Sequence, residues 1–246
     1  MTFYIIGIGL LLIILERIIP DQKLPHVKGW WLRVVVLNIF QIGVLFLGKA
    51  TWDNWFVGAS VFDTSAYFSE PIGGFLGYIA VTFFYYWWHR WRHTVNFLWL
   101  TMHQVHHSPQ RIETITSFYK HPLEIICNSI IIGAINFLIL GLSLEAASWS
   151  LLYAALGEYF YHMNIRTPHW VGYFFQRPEM HRIHHERGKH YYNFSDLPVW
   201  DMLFGTYKNP RDERTVCGFK PERERRLFDM LLFRNVNKPF SGKNRK

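Results

Sequence analysis

The sequence predicts an all-helical, polytopic membrane protein with about four to five apolar helices, and three observations carry that expectation. Of its 246 residues half are hydrophobic and 18% aromatic, yet only 18% are charged, whereas soluble domains carry about 25% charged residues. The mean hydropathy is nevertheless near zero, so apolar and polar residues are segregated into blocks. Five apolar runs, at about 2–15, 32–48, 72–88, 125–143 and 146–161, each approach the ~20 residues that a bilayer-spanning helix needs.

Taken in order, the first run opens at Met1 with no basic segment before it and no small-residue cleavage site after it, so it reads as a retained helix and not as a removed leader. The second is flanked by Trp30, Trp31, Trp52 and Trp55, and the third ends in Tyr85 and Trp87, as interfacial belts do. The aromatic run 83–88 reads as interfacial packing ahead of a lipid-tunnel lining. The first and fifth runs are the weakest spans. Residues 222–233 form an amphipathic stretch within a basic tail, 222–246, suited either to a membrane surface or to packing on the rest of the protein. Residues 241–246 read as a frayed end.

Charge between the runs orients the chain. Residues 16–33 carry Arg17, Lys23, Lys28 and Arg33 against two acids, and residues 89–124 carry Arg90, Arg92, Arg111 and Lys120 against two. Residues 49–71 instead carry Lys49 against Asp53, Asp63 and Glu70, and the fourth connection has only Glu145. The alternation matches five crossings with the N-terminus outside, because cytoplasmic loops concentrate Lys and Arg. The whole of the formal charge of +8 lies in residues 162–246, with 17 Lys and Arg against 9 Asp and Glu, while the rest of the chain balances. After apolar spans, such a surplus points to an anionic membrane surface ahead of nucleic acid. Cys127 lies in an apolar run and Cys217 in the basic segment, so no disulfide is expected and the thiols read as reduced.

The chemistry is carried by histidine. Thirteen are present, and eight fall into three boxes: His89 and His93 as HxxxH, then His103, His106 and His107 as HxxHH, then His181, His184 and His185 as HxxHH. Residues three and four apart share a helix face, so each box is expected to aim its imidazoles at one point, as a divalent metal requires. Eight ligands exceed what one ion takes, and neutral imidazoles leave the metals strongly Lewis-acidic. The charge argument independently puts all three boxes on the cytoplasmic side. A zinc hydrolase is disfavoured because HExxH is absent, and no GxGxxG marks a bound nucleotide cofactor.

The order HxxxH, HxxHH, HxxHH resembles the fatty acid hydroxylase and sterol desaturase superfamily across residues 75–207. Lys120-His121-Pro122-Leu123-Glu124 is similar to the HPLE segment of that family, and Trp200-Asp201-Met202-Leu203-Phe204-Gly205-Thr206-Tyr207 to its closing motif. The resemblance implies one membrane-embedded domain over 1–246, a helical base with a cytosolic helical cap, and two iron ions for which zinc substitutes readily. It implies O2-dependent hydroxylation or desaturation of a lipid, with two electrons from a cytochrome b5-like or ferredoxin-like partner drawn to the basic tail. It assigns as ligands His89, His93, His103, His106, His107, His181, His184 and His185, with His162 as a ninth. Glu158, four residues before His162, stands where some members have histidine. It reads as a carboxylate ligand, a proton relay or the group that orients His162. His190 reads as a ligand or substrate contact, His26 as solvated, His121 as a loop anchor and His169 as structural. A polytopic metal carrier and a non-catalytic family member remain the alternatives.

Overall fold

The computed structural model describes residues 1–211 and 214–237, and among these it is all-helical, with one isolated bridge, Glu186 to Cys217, and no strand. The long helices follow the apolar runs. They are α1 (Thr2–Ile18), α2 (Trp30–Ala50) with the short α3 (Trp52–Phe56) after it, α4 (Glu70–Thr94), α6 (Pro122–Gly133) and α7 (Leu144–His162). The remaining helices are short: α5 (Asn96–Leu98), α8 (Pro178–His184), α9 (Pro198–Leu203), α10 (Pro221–Glu224) and α11 (Leu227–Leu231).

Local sequence sets these boundaries. Pro71 and Glu70 lie in the first turn of α4, and Arg92 and His93 in its last, in keeping with the fixed φ of proline and with the helix dipole. The Ser143 hydroxyl caps α7 by accepting from the Ala146 amide at 3.0 Å, and His121 caps α6 by accepting from the Leu123 amide at 3.0 Å. That is the loop-anchoring role expected of His121. Helices α4 and α7 pack lengthwise. They approach so closely that a Cβ on Gly74 would lie 2.4 Å from Trp149 Cβ and 2.7 Å from the Ala146 carbonyl oxygen, so only glycine fits there.

Two stretches are long and apolar enough to cross a membrane by length and composition, Trp30–Phe56 and Pro122–Ile139. At 17 residues α1 would reach about 25 Å, and α4 and α7 carry Tyr, Trp, Ser and charged residues within their runs. The expected count of four to five crossings therefore goes beyond what length and composition alone give. Helices α1 and α2 nevertheless leave Phe3, Leu11, Leu32, Val36, Ile39 and Phe46 more than half exposed.

The connections gather at two ends. At one, Val61 and Phe62 donate to the carbonyls of Leu138 and Ile139 at 2.9 and 3.0 Å. At the other, Arg17 pairs with Glu113, and Arg182 reaches Asp21 at 2.7 Å. This second end carries every histidine box. The stretch 222–233 does not form one amphipathic helix: it breaks between α10 and α11 at Arg225 and Arg226. Met230 is fully buried with Trp30, Val34, Val105 and Tyr119, so this segment packs on the protein. Residues 241–246 lie outside the described residues. The aromatics of 83–88 mostly pack, with Phe83 against Trp200 at 5.0 Å and Trp88 Nε1 donating to Asn128 at 2.8 Å. Cys127 and Cys217 are free thiols.

Candidate metal centre

All nine histidines singled out in the sequence converge, in two groups. His89, His93, His103, His107 and His184 form one, and His106, His162, His181 and His185 the other; within each group one nitrogen per ring lies within 4.8 Å of all the others. The first box behaves as expected, its two rings projecting from the last turns of α4. The two HxxHH boxes do not aim at one point each. Each is split between the groups, with His106 leaving His103 and His107, and His184 leaving His181 and His185.

Helical geometry explains the split. Positions i and i+4 differ by about 40° around a helix axis, while i+3 lies about 60° away on the other side. The i, i+4 pair therefore stays together and the i+3 ring crosses over. The second box begins in a π-helical turn, yet the His107 amide still donates to the His103 carbonyl at 3.2 Å, as the His185 amide does to His181 at 2.9 Å, so the i, i+4 relation holds in both boxes. Trp99–His103 closes as a π-helical turn, its last bond running from the Gln104 amide to the Trp99 carbonyl at 2.9 Å. In the third, α8 starts at Pro178 and carries His181 and His184, with His185 just beyond its end.

The rings are oriented from outside. The Nδ1–H groups of His89, His162 and His184 donate to the backbone carbonyls of Phe194, Glu158 and Tyr192 at 2.7, 2.8 and 2.8 Å. His106 Nδ1 faces the Tyr119 carbonyl at 3.3 Å, and His103 Nδ1 faces a carboxylate oxygen of Glu124 at 3.1 Å. A carbonyl only accepts, so the proton sits on Nδ1 and the Nε2 lone pair points inward. Inside, Nε2 atoms approach one another: His89 to His103 at 3.0 Å, His181 to His162 at 3.1 Å and His185 to His181 at 3.0 Å. Two ligands about 2.1 Å from one ion and at right angles lie about 3.0 Å apart. Both ring nitrogens of His93 and of His107, and Nε2 of His184, are buried without a hydrogen-bond partner. Such orphans are costly unless a metal or water meets them, and the donor set fits an imidazole-bound transition metal.

Burial, reinforced by neighbouring imidazoles, pushes His103, His106, His107, His181 and His185 well below the ordinary histidine range, and pushes His184 down to about 3. The rings are thus neutral and able to ligate.

Other sequence candidates fall elsewhere. The Glu158 carboxylate pairs with Lys120; only its backbone carbonyl reaches His162. His190 Nδ1 faces the His184 carbonyl at 3.2 Å, and its ring lies 4.6 Å from that of His107, beside the first group but outside it. His26 is exposed, and His169 Nε2 approaches the Asn209 carbonyl at 3.4 Å.

Some residues were not legible as functional. Glu124 is fully buried, paired with Arg92 and held against His103; its place in the HPLE segment was the available signal. Asp201, in the closing motif, accepts from the amides of Phe194 and Ser195 at 2.8 and 3.0 Å and from the Thr206 hydroxyl at 2.7 Å. It thereby fixes the loop whose Phe194 carbonyl orients His89. Burial pushes the Asp201 carboxyl up to about 6. Asp196 had no motif to mark it. Burial, with Glu158 nearby, pushes its carboxyl up to about 7 despite a hydrogen bond from Tyr161.

A cavity of about 550 Å³ runs beside both groups, walled by α1, α2, α4, α6 and α7 and reaching His89, His103, His106 and His181.

Known proteins are similar to parts of this chain. An ornithine lipid hydroxylase of Rhizobium tropici is 30% identical over 178 residues, 70% of this chain and 51% of that protein. The alkylglycerol monooxygenase of Homo sapiens is 27% identical over 171 residues, 68% of this chain and 36% of that protein. A sphinganine C4-monooxygenase of Arabidopsis thaliana is 30% identical over 123 residues, 48% of each. The chain thus spans about half the length, or less, of the curated relatives it matches. No solved structure matches it. The fatty acid hydroxylase family matches residues 74–206, a span holding all nine clustered histidines, and the chain belongs to that family.

Proposed function

We propose that this chain is a membrane-embedded lipid oxygenase that binds two iron ions and uses O2 and two external electrons to hydroxylate or desaturate a lipid. The observation that carries the reading is the gathering of nine histidines, seven buried and two half-buried, into two adjacent groups against the wall of a largely apolar cavity. His89, His93, His103, His107 and His184 would hold one ion, and His106, His162, His181 and His185 the other. When bound, the metals supply O2 activation and oxidising power toward an unactivated C–H bond. The balance for hydroxylation is one O2, two electrons and two protons per C–H, giving C–OH and one water; desaturation gives C=C and two waters.

The protein's own residues do the rest. Backbone carbonyls and Glu124 fix the rings, burial keeps them neutral, and the cavity admits a hydrophobic chain while excluding bulk water. Glu158, turned toward Lys120, is assigned to the cavity wall and not to a ligand sphere. The exposed apolar faces of α1 and α2 support membrane embedding. The alternating loop charge supports histidine boxes on the cytoplasmic side, and the basic C-terminal third supports docking of an acidic, cytochrome b5-like or ferredoxin-like electron donor. The lipid-oxidising names of the relatives agree with a lipid substrate.

The test is anaerobic purification followed by iron analysis, then single-turnover reaction with reductant, O2 and membrane lipid, with product read by mass spectrometry. Two irons per chain and an 18O-labelled or dehydrogenated lipid are expected. Iron-loaded protein that reacts with O2 without altering any lipid would overturn the reading.

A further inference from the structure

Helix α4 has a second face, turned away from the histidines. Val81, Thr82, Tyr85 and His89 line the histidine cavity. Leu76, Ile79, Ala80 and Phe83 instead line a separate apolar groove of about 500 Å³ on the outside of the same helix. Phe68 and Leu140 close the groove at one end and Trp200 of α9 at the other, where its ring meets Phe83 at 5.0 Å. The stripe continues beyond Phe83. Leu76, Ala80, Phe83, Trp87 and Arg90 recur at three- and four-residue intervals, so they share one side of α4. Phe204 packs on Trp87 with ring centroids 4.7 Å apart, and the Arg90 guanidinium carbon lies 5.7 Å from the Trp87 ring. Among the described residues Arg90 Nη1 donates to the Tyr86 hydroxyl at 3.1 Å, and the guanidinium makes no ion pair. Asp201, near enough to feel its charge, already accepts from the Phe194 and Ser195 amides and the Thr206 hydroxyl. Arg90 is therefore a half-buried cation with donors to offer, at the end of an apolar, outward-facing stripe.

We infer that this face of α4 binds one anionic phospholipid of the surrounding bilayer, with an acyl chain in the groove and its phosphate on Arg90. The inference rests on the membrane embedding proposed above and not on the oxygen chemistry. Length supports it. From Leu76 to Arg90 α4 rises about 21 Å, and half a bilayer with its headgroup layer measures about 20–22 Å. Charge chooses the occupant. A partner helix or a second copy laid along the stripe would press apolar side chains on Arg90 and leave its charge uncompensated. A phosphate compensates it and takes the planar fork of donors in bidentate fashion. Anionic lipids are abundant in the cytoplasmic leaflet, the side to which loop charge assigns this end of the chain. The lipid site is separate from the cavity, because α4 stands between them. Its occupant would brace Trp200, the neighbour of the Asp201 that fixes the loop carrying the Phe194 carbonyl to which His89 donates.

The experiment takes the full chain, delipidated in detergent, and titrates it with dioleoylphosphatidylglycerol or dioleoylphosphatidylcholine, reading bound lipid by native mass spectrometry. One phosphatidylglycerol should bind ahead of any other, about fivefold more tightly than phosphatidylcholine, as a single partly exposed ion pair provides. Arg90→Gln should erase that preference by weakening phosphatidylglycerol alone. Ala80→Phe, which fills the groove, should weaken both lipids about tenfold. The two substitutions lie at opposite ends of the site, so a folding defect in one leaves the other to decide. Phosphatidylglycerol carrying a photoactivatable diazirine on its acyl chain should label residues 76–84 or Trp200. Equal affinity for the two lipids, a preference that survives Arg90→Gln, or labelling confined to other helices overturns the proposal. So does a dimer that Ala80→Phe separates with no lipid bound, which would make the groove a contact between copies. Failure of membrane embedding would show differently, as a protein that stays monodisperse in buffer once the detergent is removed.

Discussion

His107 and His185 stack face to face across the boundary between the two histidine groups, their ring centroids 4.1 Å apart and their planes 14° from parallel. One belongs to the group of five and the other to the group of four, so this pair is where the two proposed metal positions adjoin. Both rings are fully buried, and neither nitrogen of His107 has a hydrogen-bond partner. His107 has no bond to lose other than one to a metal, and His185 has only the 3.0 Å approach of its Nε2 to His181 Nε2.

His107→Ala and His185→Ala should each drop lipid oxidation to background while the protein still elutes as a folded species in detergent. The helices are held by apolar packing such as that of α4 on α7, and each substitution removes only one ring from the histidine cluster. His26→Ala, exposed and remote from both groups, should keep nearly full activity. Near-normal turnover in both box variants would remove the two-metal mechanism; loss of folded protein in both would make the site structural.

Metal content should follow the grouping. Wild-type protein purified anaerobically should carry two ions per chain. His162→Ala leaves three rings in its group, whereas His93→Ala leaves four in the other, so His162→Ala should lower metal content the more. Zinc in place of iron after aerobic preparation fits such imidazole-rich sites; one ion or none in an active preparation would not fit. Chelation should lower Tm, because a ligand at 100 times its Kd stabilises by about 2.7 kcal/mol.

Glu124 gives a separate test of how the rings are held. Its carboxylate bridges Arg92 and His103, all three buried. Glu124→Ala leaves the Arg92 charge uncompensated and should cost about 3–5 kcal/mol. Glu124→Gln keeps the shape and loses the charge; the expected effect is metal affinity lower by about 10- to 100-fold. Unchanged iron binding in Glu124→Gln would show that the carboxylate does not orient His103.

Much of this was legible in the sequence. The nine histidines were identifiable because their spacing is dense and repeated, and the long helices because apolar runs of that length have few other fates. The partition into five and four was not. A box read as one helix face sends all its rings the same way, whereas the i+3 ring points about 100° from its i+4 neighbour, and the π-helical turn before His103 is not encoded in any pattern of period 3.6. Glu158 illustrates the opposite error. Its four-residue offset from His162 suggested a partnership of side chains, but the i→i+4 relation is met by the Glu158 backbone carbonyl, and Lys120, distant in sequence, takes the carboxylate. Asp196 lay in a loop with no motif, and only the three-dimensional cavity brings it beside Tyr161.

The orientation across the membrane rests on loop charge and is open to direct labelling. In a background lacking Cys127 and Cys217, a cysteine introduced near Asp63 should react with an impermeant maleimide added from outside. One near Arg111 should react only after permeabilisation. The reverse pattern would place the histidine end outside and remove the argument for a cytoplasmic electron donor.

The last prediction concerns pH and the metal-free protein. His103, His106, His107, His181, His184 and His185 are held neutral by burial, His184 down to about 3. In the unfolded chain a histidine protonates near 6.5. A folded pKa below the unfolded one means that the unfolded state binds more protons as pH falls. The stability these rings contribute is therefore present above about 6.5 and lost progressively toward the folded value. Each such histidine costs about 1.4 kcal/mol per pH unit in that window. Asp196 and Asp201 act in the opposite sense. Their carboxyls are raised to about 7 and about 6, so the stability linked to them is full below the unfolded carboxylate range and lost as pH rises through the folded values. Two carboxyls against six imidazoles leave the histidines dominant between pH 6.5 and pH 5. Metal-free protein should melt at a steadily lower temperature from pH 7 to pH 5 in thermal scans followed by circular dichroism. Metal-loaded protein should resist longer, because protons must first displace the ions. A flat melting temperature over that interval in the metal-free protein would mean that water or solute hydrates the rings, and that they are not held in the dry, neutral state from which their ligating role is argued.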